Sequence, residues 1–131
     1  MTCAAHAILA AAVGALTRSR SRAFLAGIGT HLVSDLIPHR DFSPPVEMAL
    51  TAAALMAVGG IAGFDSPAFA GAVGGVAPDA EHGLAVAGIT RRPCFPTHRG
   101  VHGRRAAEAI SQVAVSCAAF GLAMWRSRRS R

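Results

Sequence analysis

The sequence predicts an all-α fold, an integral-membrane bundle of about five helices with one broken helix, in a single domain over residues 1–131. Three observations carry this expectation. Hydrophobic residues make up 52% of the chain and charged residues 15%, against about 25% charged in ordinary soluble domains. The apolar mass is Ala, Gly, Val and Leu, with only 5% aromatics, a composition that lets helix backbones approach closely in lipid. The basic residues are all Arg and lie in short clusters between apolar runs, where helix-flanking charges fall. The formal charge of +6 suits a nucleic-acid binder, but that clustering argues against nucleic acid and for membrane lipids as the surroundings.

The first helix covers residues 3–17. Nothing basic precedes this apolar run and no A-x-A site ends it, so it reads as a retained helix rather than a signal peptide. His6 interrupts it and shares a face with Ala10 and Gly14, so that face can pack tightly on a neighbour. An Arg18–Arg22 loop follows.

Helix two runs from Arg22 to Ile37 and stops before Pro38, which lacks an N–H and restricts the residue ahead of it. His31 and Asp35 stand four residues apart, with Cβ atoms roughly 5–6 Å apart on one helix face. In apolar surroundings such a pair is either a metal-ligand pair or a hydrogen bond that locks two helices together. The Pro38–Pro45 loop carries His39, Arg40 and Asp41.

Ser43-Pro44 reads as a helix cap followed by a first-turn proline, with Glu47 in the opening turn. Helix three, Pro44 to Phe64, is otherwise apolar apart from Thr51 and reads as support. Asp65-Ser66-Pro67 marks a turn and a new cap.

Helix four is interrupted by Gly71, Gly74, Gly75 and Pro78 and reads as broken, with Asp79 capping a second half that runs to Ile89. Asp79, Glu81 and His82 then offer three metal-ligand types within four residues. N-capping by acids explains the first two but not His82.

The polar loop from Thr90 to Arg105 holds His98 and His102 at helical spacing across Gly100, with Cys94 upstream. Helix five, Arg104 to Trp125, carries a polar stripe of Glu108, Ser111, Gln112 and Ser116 that faces the bundle interior. Trp125 and the Arg126–Arg131 tail mark the exit from the bilayer. Cys3, Cys94 and Cys117 are odd in number and lack CxxC spacing, so neither a disulfide framework nor a zinc ribbon follows.

If all five helices cross, every histidine falls on one side of the membrane, together with Asp35, Asp79 and Glu81. Convergence of imidazoles and carboxylates points to a divalent metal, zinc or another first-row ion. The metal ligands on this reading are His6, His31, Asp35, Asp79, His82, His98 and His102. Glu81 or Glu108 serves as general base, and Arg99 or Arg40 orients an anionic or phosphorylated substrate.

Several motifs resemble a family of bacterial inner-membrane metal-dependent hydrolases, whose pattern includes an N-terminal His, P-D-x-D-H, H-R-G-x-T-H-S and S-H-x-x-x-D. Pro78-Asp79-Ala80-Glu81-His82 is similar to the second with Glu for Asp. His98-Arg99-Gly100-Val101-His102 resembles a shortened third, and Thr30-His31-Leu32-Val33-Ser34-Asp35 the fourth. Here the His31/Asp35 element precedes the Asp79 element instead of coming last. The stretch from Leu36 to Phe42 also resembles the P-H-x-D-aromatic ending of a set of small bacterial membrane proteins. The resemblance implies an inner-membrane location and a metal-activated water that attacks an ester or phosphoester. The alternative is a non-enzymatic membrane protein whose His/Asp cluster is structural or only binds metal.

Overall fold

Five helices and no strand make up the described part of the chain: α1 (Cys3–Ala15), α2 (Arg20–Ser34), α3 (Pro44–Ala62), α4 (Pro67–Val86) and α5 (Ala106–Arg129). The computed structural model describes residues 1–36, 42–86, 88–90 and 106–129, and of these the side chains of 86, 106–109 and 126–129 are outside the description.

The ends follow local chemistry. Thr2 caps α1 by accepting from the Ala5 N–H, and Ser19 caps α2 by accepting from the Arg22 N–H. Ser66 does the same for α4, with its hydroxyl 3.1 Å from the Phe69 nitrogen. Ser43 precedes α3 without a side-chain cap; its carbonyl takes the Val46 and Glu47 N–H groups instead. Two prolines at the start of α3 remove the N–H groups nearest that hydroxyl.

Two expectations need correction. α4 is one continuous helix through Pro78, not two halves with Asp79 as a cap. The Pro78 ring is among the most deeply buried side chains, so packing holds the helix where a missing i→i−4 hydrogen bond would otherwise break it. α5 continues beyond Trp125 to Arg129, because the terminal arginines are good helix formers and nothing in the sequence stops the helix.

α1 is the hub, in contact with α2, α3, α4 and α5, while α4 also packs on α2 and α3. Small residues make the close crossings. A Cβ added at Gly71 would lie 2.5 Å from the Ala10 carbonyl oxygen, and one at Gly75 2.5 Å from the Ala10 Cβ and 2.8 Å from the His6 carbonyl oxygen. The Ala10 and Gly14 face of α1, which also carries His6, is therefore seated on α4.

α3 is the one helix among the described residues long and apolar enough to cross a membrane, at 19 residues with a mean hydropathy of 1.6. At 1.5 Å per residue it measures about 28 Å, close to the thickness of a bilayer's hydrocarbon core. α1 and the Ile110–Trp125 part of α5 are apolar but shorter.

The buried core is mostly alanine, with Val58 and Phe120 among its larger members. The largest fully buried side chains are His6, His31, Thr2, Pro78 and Ser116. Large aliphatic side chains point outward on four helices, among them Leu25 and Val33 on α2, Met48 and Met56 on α3, Leu84 on α4, and Ile110 and Val115 on α5.

Candidate metal centre

The carrying face of α1 brings His6 against the C-terminal turn of α2, and there the two imidazoles meet. Their rings stack with centroids 3.9 Å apart and an interplanar angle of 26°. Both side chains are buried, His6 at 1% and His31 at 0% exposure. Asp35, the residue that closes α2, lies under both: its Oδ1 is 2.9 Å from His6 Nε2 and its Oδ2 is 3.3 Å from His31 Nε2. Asp79 approaches from α4, with Oδ1 3.6 Å from His31 Nε2.

Each outward nitrogen has a partner that fixes its ring. His31 Nδ1 lies 2.7 Å from the Gly75 carbonyl oxygen. A carbonyl only accepts, so Nδ1 carries the hydrogen and the Nε2 of neutral His31 presents a lone pair. His6 Nδ1 lies 2.9 Å from Ser34 Oγ. Rings held by a backbone carbonyl or hydroxyl on one nitrogen and aimed at carboxylates with the other are the usual arrangement of metal-binding histidines.

His31 Nε2 is buried and makes no hydrogen bond, although two carboxylates surround it. A lone pair facing anionic oxygens is repulsive unless a cation, either a proton or a metal ion, lies between them. The ligand atoms of His6, His31 and Asp79 all lie within 4.8 Å of one another, so this group could hold a metal ion. Asp35, within 3.3 Å of both Nε2 atoms, adds a second carboxylate to it. The two carboxylates are the accessible side of the cluster, at 19% and 18% exposure.

Four expected ligands thus come together: His6, His31, Asp35 and Asp79. Glu81 and His82 follow Asp79 on α4, half-buried and engaged in contacts of their own, and neither belongs to the converging group among the described residues. His98, His102 and Arg99 lie outside the described residues, as do Arg40 and Cys94. Glu108 belongs to the first turn of α5, and its side chain is outside the description. Of the α5 stripe, Ser116 is fully buried and Gln112 accepts from the Thr2 N–H at 3.3 Å, whereas Ser111 is on the exposed side.

Sequence reasoning did not single out Ser34 or the Gly75 carbonyl. Ser34 is one residue before Asp35 and reads from sequence as an ordinary helical serine. Gly75 reads as an interruption of α4, yet it both admits α1 and supplies the His31 acceptor. Glu47, expected only to favour the start of α3, accepts from the Cys3 and Phe42 N–H groups at 3.0 and 2.8 Å and so ties α3 to the beginning of α1.

Comparison with known protein families, curated proteins and solved structures finds no match.

Proposed function

We propose that this chain is a small membrane protein that holds one divalent first-row metal ion, zinc by preference, and uses it to hydrolyse an ester or phosphoester. The observation that carries the reading is the buried His31 Nε2, which has no hydrogen bond and faces Asp35 and Asp79. The donor set of two imidazoles and a carboxylate suits zinc, which in catalytic sites takes three protein ligands and leaves a position for water. Large aliphatic side chains on the outside and small or polar ones within support a lipid environment, because lipid removes the cost of exposing them.

A bound ion would lower the pKa of a coordinated water to about 7 and polarise the scissile bond. The remaining work falls to the chain. His6, His31 and Asp79 would hold the ion, while the Gly75 carbonyl fixes the His31 ring. Asp35 is the nearest carboxylate to both nitrogens and would take up a proton there as general base. In this role it replaces Glu81 and Glu108 as the general base.

The test is metal content and turnover on the detergent-purified chain. Wild type should retain about one zinc per chain and hydrolyse a nitrophenyl phosphate or ester, and a chelator should stop it. His31→Ala should lose both. Zinc retained in full by His31→Ala sinks the site; zinc bound without turnover on either substrate leaves the chain a metal-binding protein and sinks the hydrolase reading.

A further inference from the structure

We infer that Ser34 is a positioning residue whose rotating hydroxyl lets His6 change which ring nitrogen carries its hydrogen, and that His6 can enter the metal site only by this change. The inference rests on the metal-binding reading above. Ser34 is buried, and its Oγ lies 2.9 Å from His6 Nδ1, 2.8 Å from the Thr30 carbonyl oxygen and 3.1 Å from the His31 carbonyl oxygen. A hydroxyl has one hydrogen to donate and two lone pairs that accept. With one ring nitrogen and two carbonyls in reach, its hydrogen has to choose.

In the empty site, neutral His6 keeps its hydrogen on Nε2 and donates it to Asp35 Oδ1 at 2.9 Å. Nδ1 is then an acceptor, and the Ser34 O–H turns to it. In the loaded site, Nε2 gives its lone pair to the ion and cannot hold a hydrogen. The ring stays neutral: the Nε2 hydrogen passes as a proton to Asp35 Oδ1, its acceptor at 2.9 Å, and from that partly exposed carboxylate to solvent, while one proton from solvent is taken up on Nδ1, so the net count is unchanged. Nδ1–H now donates to Ser34 Oγ, and the Ser34 O–H turns to the Thr30 carbonyl. The Thr30 hydroxyl is occupied with the Ala26 carbonyl at 2.8 Å and does not compete. Asp35 loses its hydrogen bond from His6 and is released for its own role.

His31 has no such freedom. Its Nδ1 faces the Gly75 carbonyl, which accepts only, so its hydrogen stays there in both states. The two stacked imidazoles are therefore unequal: His31 is preset for the ion, and His6 has to be switched by Ser34. Alanine at position 34 would leave a buried Nδ1–H without an acceptor in the loaded state, whereas threonine would keep the hydroxyl. Outer partners of metal-binding histidines typically govern about 10–100-fold in metal affinity.

The experiment uses the full chain in detergent micelles. Zinc affinity is measured by competition with a chromophoric chelator for wild type, Ser34→Ala and Ser34→Thr, and ¹⁵N chemical shifts of the wild-type His6 ring are recorded with and without zinc. We expect Ser34→Ala to weaken zinc binding about 10–100-fold and Ser34→Thr to restore most of it. The His6 hydrogen should move from Nε2 to Nδ1 on loading. Equal affinity of Ser34→Ala and wild type, or a His6 hydrogen that stays on one nitrogen in both states, overturns the inference while the metal site stands. Wild type that binds no zinc overturns both. If Ser34→Ala does not fold, the wild-type ring shifts decide the matter alone.

Discussion

His6 on α1 and His31 on α2 stack ring on ring at 3.9 Å, and the same Asp35 carboxylate reaches the Nε2 of each. Two neutral imidazoles stack readily; two protonated ones repel at this distance. The arrangement accommodates a cation between the rings and Asp79 better than it does a charge on both rings.

Replacing His31 with Phe separates packing from ligation. The ring stack can persist, but Nε2 and the bond to the Gly75 carbonyl are gone. Losing a hydrogen bond of this kind costs about 0.5–1.5 kcal/mol. The expected outcome is a lower melting temperature without metal and no further rise when zinc is added. A zinc-induced rise as large as that of wild type would contradict the site, and thermal denaturation followed by circular dichroism in detergent measures both.

Gly75→Ala and Gly83→Ala, both on α4, should move stability in opposite directions. The first places a Cβ 2.5 Å from the Ala10 Cβ and 2.8 Å from the His6 carbonyl oxygen, so α1 and α4 have to separate at a cost of about 1–3 kcal/mol. Zinc affinity should fall with it, because the same shift moves His6 and the His31 acceptor. At Gly83 an added Cβ meets nothing, and alanine gains up to about 1 kcal/mol of helix propensity. Chemical or thermal unfolding of the pair, read against wild type, checks the sign of each.

Glu47→Ala removes the acceptor of two backbone N–H groups, from Cys3 and Phe42. Hydrogen bonds to a charged group contribute about 1.5–3 kcal/mol, less where solvent reaches them. Hydrogen exchange should show faster exchange at the Cys3 and Phe42 amides than in wild type, with the centre of α4 unchanged. Unaltered exchange at Cys3 would show that α1 is held at its start by other contacts.

Zinc affinity should fall as pH falls, because protons compete for both Nε2 atoms. Each imidazole that has to shed a proton contributes about a tenfold loss per pH unit once protonated. The steeper dependence of wild type relative to His6→Ala, which has one competing imidazole fewer, should therefore emerge only at acidic pH, where the buried His6 ring, neutral in the empty site, takes up a proton. Slopes that stay parallel down to the pH at which the His6 ring shifts show it protonated would mean that His6 is not a ligand.

Much of this architecture was readable residue by residue. The starts of α3 and α4 followed from Ser43-Pro44 and Ser66-Pro67, because caps and missing N–H groups act within a turn, whereas Ser19, inside the expected Arg18–Arg22 loop, turned out to cap α2. The His31–Asp35 pair, the tight face of His6, Ala10 and Gly14, and the importance of Asp79 were legible from i, i+4 spacing and residue type. The course of α4 was not. Proline and three glycines read locally as a break, and only burial of the Pro78 ring against neighbouring helices overrides that local preference.

The sequence by itself determined the helical class, the polar residue types within apolar runs, and which of them could share a face. Those properties depend on the backbone period and on neighbours a few residues away. Tertiary structure alone decided that Ser34 and the Gly75 carbonyl hold the two rings, and that Asp79 rather than His82 joins them. A ring nitrogen's partner comes from another helix, and the distance of that helix is set by how closely small side chains let two backbones approach.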